Sequence, residues 1–204
     1  MSPTAAKAKP PTLRIVPLTA ERWPDLERLF GVRGACGGCW CMWWRLPRRE
    51  FLAGKVPGAG VKGEGNRRAF RRVVEDGEVP GLLAYEGDEP VGWVAVQPRE
   101  TYPRLDRSRT LARVDDRPVW SITCFYVARS HRRRGVARAL AAASLRHARE
   151  RGARIVEAYP VDSAKRSADP FVYTGPAATF EGLGFREVAR RSRTRPILRR
   201  AVRP

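Results

Sequence analysis

Apolar residues recur along the chain with two spacings, and the switches between them mark its elements. From Leu13 to Leu18 apolar and polar positions alternate up to Pro17, which predicts a short first strand. Trp23, Leu26, Leu29 and Phe30 then recur at steps of three and four, so a helix with Thr19 as N-cap runs to about Gly31. Residues 31–63 carry Gly, Pro and aromatics without a period and read as a long loop. Phe70, Val73 and Val74 make the apolar stripe of a helix over 66–76, closed by Gly77. Residues 82–85 and 90–96 read as a hairpin turning at Gly87 and Asp88. Residues 98–118 are polar and read as a surface connection.

Val119 to Val127 is a near-continuous run of β-formers, the pattern of a central strand buried on both faces. A basic turn leads to an Ala- and Leu-rich helix over 136–151, then to a strand over 155–159. Strand, helix and strand in about 40 residues make a crossover unit, so the two strands should be parallel. A loop over 160–175, a short helix over 177–183 stopped by Gly184, and strands over 185–189 and 196–202 complete the chain. With no repeat and no linker, the economical expectation is one α/β domain. It would have a mixed sheet of six or seven strands with helices on both faces. That domain would span 13–204, behind a disordered arm over 1–12.

Composition narrows the classes. A chain of 204 residues buries enough surface to fold without disulfides or metal. No apolar run is long enough to span a membrane, and residues 1–12 lack the apolar core of a secretory signal, so the expected address is the cytoplasm. Charge is the outlying quantity: 40 Lys and Arg against 21 Asp and Glu leave +19. Such a field attracts phosphate cofactors, acidic partners and, at low salt, nucleic acid without sequence preference. The Arg-rich stretches 129–151 and 186–203 lack interleaved aromatics, so an RNA-directed role is a further alternative rather than the main reading.

The most informative segment is Arg129-Ser130-His131-Arg132-Arg133-Arg134-Gly135-Val136-Ala137-Arg138. It joins the buried strand to the long helix, whose first N–H groups lack internal partners and carry partial positive charge. Gly135 and Ala137 allow close backbone approach, so the turn is a candidate anion cradle. The spacing Arg132-x-x-Gly135-x-Ala137 resembles the motif A signature of the GNAT N-acetyltransferases, Q/R-x-x-G-x-G/A. The order of elements and the Gly184-Phe185 step before the last strands are also similar, over roughly 13–202.

This resemblance implies acetyl transfer from acetyl-CoA to a primary amine of a small molecule or protein, by direct attack, in a protein that is often a homodimer. The pyrophosphate would lie on backbone N–H groups from Arg132 through Arg133, Arg134, Gly135 and Val136 to Ala137, with Arg138 near the phosphates. The pantetheine arm would pair with the strand backbone at Phe125, Tyr126 and Val127. Many relatives carry a Glu where this chain has Ser121, and a Tyr acid where it has Phe180. Ser121 cannot act as a base near neutral pH and Phe180 cannot give a proton, so the remaining catalytic candidates are Tyr173 as acid, Glu157 as a base through water, and Ser121 as a water holder. Asp162, Cys124 and His131 are weaker candidates. These departures favour, as the alternative, a non-catalytic acyl-CoA-binding or zinc-structured interaction protein.

Cys36-Gly37-Gly38-Cys39-Trp40-Cys41-Met42-Trp43-Trp44-Arg45 fits no single chemistry. Cys36, Cys39 and Cys41 have the spacing of zinc ligands, but no second pair follows and the fourth ligand would have to be distant, such as Cys124. A redox pair lacks its usual surroundings. The preferred reading makes Trp40, Met42 and Trp44 an acceptor wall faced by Trp120, with a satellite core under the loop as the equal alternative. The same stretch resembles a subgroup of bacterial GNAT proteins.

Overall fold

The computed structural model describes residues 12–55, 62–162 and 173–203. The expected N-terminal arm and most of the 160–175 loop fall outside them. Seven strands form one mixed sheet in the order β1-β2-β3-β4-β5-β7-β6. Here β1 is Leu13–Pro17, β2 Gly81–Glu86, β3 Glu89–Pro98, β4 Trp120–Val127, β5 Ile155–Ala158, β6 Arg186–Arg190 and β7 Pro196–Ala201. Among the described residues, the only parallel pairing in this sheet joins β4 to β5, as the crossover predicts.

Helices cover both faces. The crossover helix α5, Val136–Glu150, packs on one face against Val94, Val96, Ile122 and Val156. Its interior positions include Ala141 and Ala148, both fully buried, which let the helix lie close to the sheet. The fit is tight: a Cβ on Gly92 of β3 would sit 2.8 Å from Val136. On the other face, α1 (Trp23–Phe30) and α3 (Glu64–Glu75) bury Trp23, Leu26, Phe30, Phe70 and Val74 against Leu83, Tyr85 and Trp93.

Four local expectations need correction. The expected helix over 177–183 is a single tight turn at Ala177–Thr179. The Thr19 hydroxyl makes no cap bond; it accepts from Arg22 Nη1 at 3.1 Å, and the helix opens through a tight turn at Ala20–Arg22. The 31–63 loop contains a helix, α2 (Arg48–Ala53), seated by buried Phe51. The 98–118 connection is not wholly a surface feature. It contains a short α4 (Pro103–Asp106) and buries Arg99, Tyr102, Leu105 and Leu111 in a third cluster beside Trp44 and Tyr159. Its apolar residues are few but spaced to fall on one side, a signal its polar composition obscures.

His147 on α5 stacks edge-on against Trp120 with centroids 5.9 Å apart, and is almost wholly buried. Burial, aided by Arg151, lowers its pKa from 6.5 to about 4. The unfolded chain therefore takes up this proton before the folded one does. The stability that neutral His147 contributes is complete above about pH 6.5 and is lost as pH falls towards 4. Urea titrations should show wild type weakening over this interval. His147→Phe should flatten that part of the pH dependence; an unchanged slope would remove His147 as its source.

Candidate acyl-CoA site

β4 and β5 pair only over Trp120–Ile122 with Val156–Ala158. Beyond Ile122 a β-bulge at Thr123 shifts the register against β3. The extra residue swaps the faces of β4. Trp120, Ile122, Phe125 and Val127 face α5, while Cys124 and Tyr126 face α1 and α3. Trp120 therefore does not face Trp40; the two lie on opposite sides of the sheet.

At the C-terminal end of β4 the chain turns through Arg129–His131 into Gly135, whose φ of +85° favours glycine. Space around it is open: a Cβ added there would meet no atom within 4 Å. The first turn of α5 begins here, and Ala139 makes the first backbone bond back to Gly135, at 3.0 Å. The N–H groups before it are the donors a helix leaves unmade at its start. A cavity of about 320 Å³ lies alongside, lined by Leu13, Arg134, Gly135, Arg138, Ala139 and Leu183.

The arginines of this turn do different work. Arg134 pairs with Glu86 at 2.7 Å, and buried His131 reaches the other Glu86 oxygen at 2.9 Å. The His131 bond, then Arg134, hold the Glu86 carboxyl below its usual range. Arg132 Nε donates to the Val127 carbonyl at 3.1 Å and ties the turn to β4. Arg138 donates to the Glu181 carbonyl. Arg133 is exposed, with a left-handed φ of 61°.

Where β4 leaves β5, residues 173–177 lie between them. Phe125 N–H donates to the Tyr173 carbonyl at 2.6 Å, Val161 N–H to Gly175 at 2.9 Å, and Ala177 N–H to Val161 at 3.2 Å. The Phe125 amide expected to meet pantetheine thus already has a partner. The Phe125 ring packs on Phe180, and Tyr126 packs edge-on against Phe30. The Tyr173 ring lies 6.4 Å from Trp44. Burial, then nearby Cys124, push the Tyr173 hydroxyl well above its usual pKa, so it stays protonated at neutral pH.

Glu157 and Ser121 lie below this gap, in a buried network. Glu157 accepts from Tyr159 at 2.6 Å and Arg99 at 3.2 Å on one oxygen, and from Arg199 at 2.7 Å on the other. Ser121 shares a 2.7 Å bond with Tyr159. Arg99 continues to Asp106, and Arg199 to Asp115. Arg199 and Arg117 hold the Asp115 carboxyl well below the usual range. Both Glu157 oxygens are occupied, and this geometry fits a clamp between strands better than a base. No sequence signal ties Arg99, Arg199 and Tyr159 to Glu157. A lone Arg in a polar run gives no sign of a buried carboxylate elsewhere in the chain.

In the cysteine-rich stretch, Trp40 and Met42 are interior. Trp40 packs on Trp23 and Phe30 with centroids 6.0 and 5.5 Å apart. Cys41, with φ of 55°, brings its sulfur 3.6 Å from that of Cys124 and accepts the Trp93 indole N–H at 3.1 Å. All four cysteines are free thiols. Burial and Cys41 push Cys39 up to about 12. Among the described residues no group of three or more His, Cys, Asp or Glu is placed to hold a metal ion. The described helices include none long and apolar enough to cross a membrane.

Removing one partner of a buried ion pair strands the other charge. Glu157→Gln should therefore cost about 3–5 kcal/mol in denaturant unfolding. Tyr159→Phe, which removes a neutral hydroxyl bonded to two charged groups, should cost less, about 1.5–3 kcal/mol. Equal, small losses in both variants would contradict the clamp.

Comparison with known proteins agrees with this architecture. No curated protein sequence matches the chain. Among solved structures, an N-acetyltransferase from Staphylococcus aureus aligns with a TM-score of 0.53 at 11% identity, covering 94% of this chain and 99% of that one. An aminoglycoside N-acetyltransferase in complex with CoA aligns with a TM-score of 0.53 at 17% identity, over 91% and 98%. A ribosomal-protein-S5-alanine acetyltransferase from Vibrio fischeri aligns with a TM-score of 0.52 at 9% identity, over 93% of each chain. At these identities the likeness is one of fold. The sequence model of the acetyltransferase (GNAT) family matches residues 40–171, which is more than half of the chain and includes β4, the basic turn and α5. The chain belongs to the GNAT family of acetyltransferases.

Proposed function

We propose that the protein moves an acetyl group from acetyl-CoA to a primary amine by direct attack of the amine on the thioester. The observation that carries this reading is one juxtaposition. The open Gly135 turn at the start of α5 stands at the end of β4 where β5 has parted from it. A pyrophosphate on the N–H groups of Gly135, Val136 and Ala137 gains charge-assisted bonds. Arg133 and Arg138, both exposed, lie on the same turn and supply further positive charge. The pantetheine amides, being strand-like, would take over the Phe125 N–H from the Tyr173 carbonyl and continue past Tyr126 to Val127.

Tyr173 is the proton donor in this reading. Its carbonyl already touches β4, and this position, not its raised pKa, supports the role: a free tyrosine is equally protonated at neutral pH, and burial makes Tyr173 a weaker acid. Ser121 and Glu157 position β4 against β5 rather than exchange protons with the substrate. Acyl-CoA binding without turnover is the second reading. Phe180, at the position where many relatives place an acid, is packed between Phe125 and Phe185, which favours it.

Calorimetric titration separates these from a protein that binds no acyl-CoA. Wild type should bind acetyl-CoA saturably at moderate salt. Gly135→Trp should weaken binding at least tenfold, by covering the turn and by straining its positive φ, with an unchanged melting temperature showing that the variant is folded. Equal binding by wild type and variant would place the cofactor elsewhere. Turnover of any amine dismisses the non-catalytic reading, and Tyr173→Phe should then lower kcat on the order of a hundredfold.

A further inference from the structure

A second cavity, about 330 Å³, lies between α2 and α4, and one of its lining residues, Trp44, packs against Tyr173 with ring centroids 6.4 Å apart. Trp43, Trp44, Arg48, Arg104, Arg107 and Ser108 line it. The Arg104 guanidinium lies 3.6 Å from the centre of the Trp43 ring. Arg104 Nη1 and Trp44 Nε1 are both buried and lack hydrogen-bond partners, and Trp44 as a whole is only 8% exposed. Burial lowers the Arg104 pKa, and Arg48 and Arg107 lower it further.

Buried donors normally find acceptors. The contrast within this chain is sharp. Arg99 and Arg199, more deeply enclosed, are saturated by Glu157, Asp106 and Asp115. Among the described residues, Arg48, Arg104 and Arg107 form no salt bridge with any carboxylate. Three guanidiniums around one cavity repel one another, and an anion placed among them removes that repulsion. The guanidiniums of Arg48, Arg104 and Arg107 surround the opening with positive charge, and Trp43 and Trp44 give it an apolar lining. The cavity is one aromatic ring from β4, because Tyr173 touches Trp44 with its ring and Phe125 with its carbonyl.

We propose that this cavity holds the acceptor by its carboxylate, and that the acceptor is an amino acid with an apolar or aromatic side chain. The inference rests on the acetyl-transfer reading and specifies its substrate class. A carboxylate here would pair with the guanidiniums of Arg104, Arg48 and Arg107, the side chain would lie against Trp43 and Trp44, and the amine would be left to face the thioester on the Tyr173 side. Polycationic amines are disfavoured by the same three arginines.

Matched amines provide the test. Phenylalanine and phenethylamine differ only by the carboxylate, and 1-amino-2-phenylethylphosphonic acid carries a phosphonate in its place. Acetylation should favour phenylalanine over phenethylamine at least tenfold in kcat/KM, with the difference mostly in KM. In Arg104→Met, and in Arg107→Gln at an exposed position, that ratio should fall towards one. Acetyl-CoA affinity checks that each variant is folded. A preference for phenethylamine, or a ratio unmoved in both variants, overturns the assignment. A preference for the phosphonate keeps the anion site and overturns the carboxylate. Quenching of tryptophan fluorescence by N-acetylphenylalanine reads the cavity without turnover. If that quenching is present and lost in Arg104→Met while acetyl-CoA does not bind, the transfer reading and the acceptor role fail, and an anion site remains.

Discussion

β4 and β5 pair in parallel for only three residues, Trp120–Ile122 against Val156–Ala158, and this short seam sets where a site can form. Parallel neighbours need a crossover, here α5, which starts at the C-terminal end of β4. The same end is where β5 has already diverged. A helix start with unmade N–H groups and a strand edge released from its neighbour therefore fall side by side through one topological fact. The bulge at Thr123 then turns Phe125 and Val127 to the α5 face and Cys124 and Tyr126 to the other.

The seam is held by charge. Glu157 on β5 gathers Arg99 from the end of β3, Arg199 from β7 and Tyr159 from the end of β5, and Ser121 on β4 joins through Tyr159. Buried charges are tolerated when each is paired and hydrogen-bonded, as these are. The cavity at Arg104 breaks that pattern a short distance away, in a region of the chain with the same arginine-rich composition. One fold thus contains arginines spent on holding strands together and arginines left without a counterion. The difference lies in where the carboxylates fall, not in how many arginines there are.

Much of the frame was legible in the sequence. The alternation at Leu13–Pro17, the Gly87-Asp88 turn and the Val119–Val127 run are local signals, and each became the expected strand or hairpin. The Gly135 turn was legible because its conformation needs glycine and its place before a helix gives that glycine a purpose. What depends on contacts between distant residues was not. Arg99 and Glu157 are 58 positions apart, and neither periodicity nor spacing pairs them. Trp120 lies on the α5 face, away from Trp40, and the bulge at Thr123 that sets the faces of β4 against one another has no signature in the alternation of its residues. Met42 and Trp40 carry the composition of a binding wall and of a core equally well, and only their packing in the cluster around Trp23 and Phe30 distinguishes the two. The Tyr173 carbonyl on Phe125 is a backbone contact to which side-chain pattern is blind.

The central claim is that acetyl-CoA occupies the gap between the start of α5 and the freed edge of β4. Backbone amide NMR during titration with acetyl-CoA tests it most directly. The account predicts saturable shifts confined to Gly135–Ala137, to Phe125–Val127 and to Tyr173–Gly175, as the Phe125 N–H exchanges the Tyr173 carbonyl for the cofactor. Saturable binding that shifts other amides and leaves Gly135 and Phe125 unmoved would contradict it.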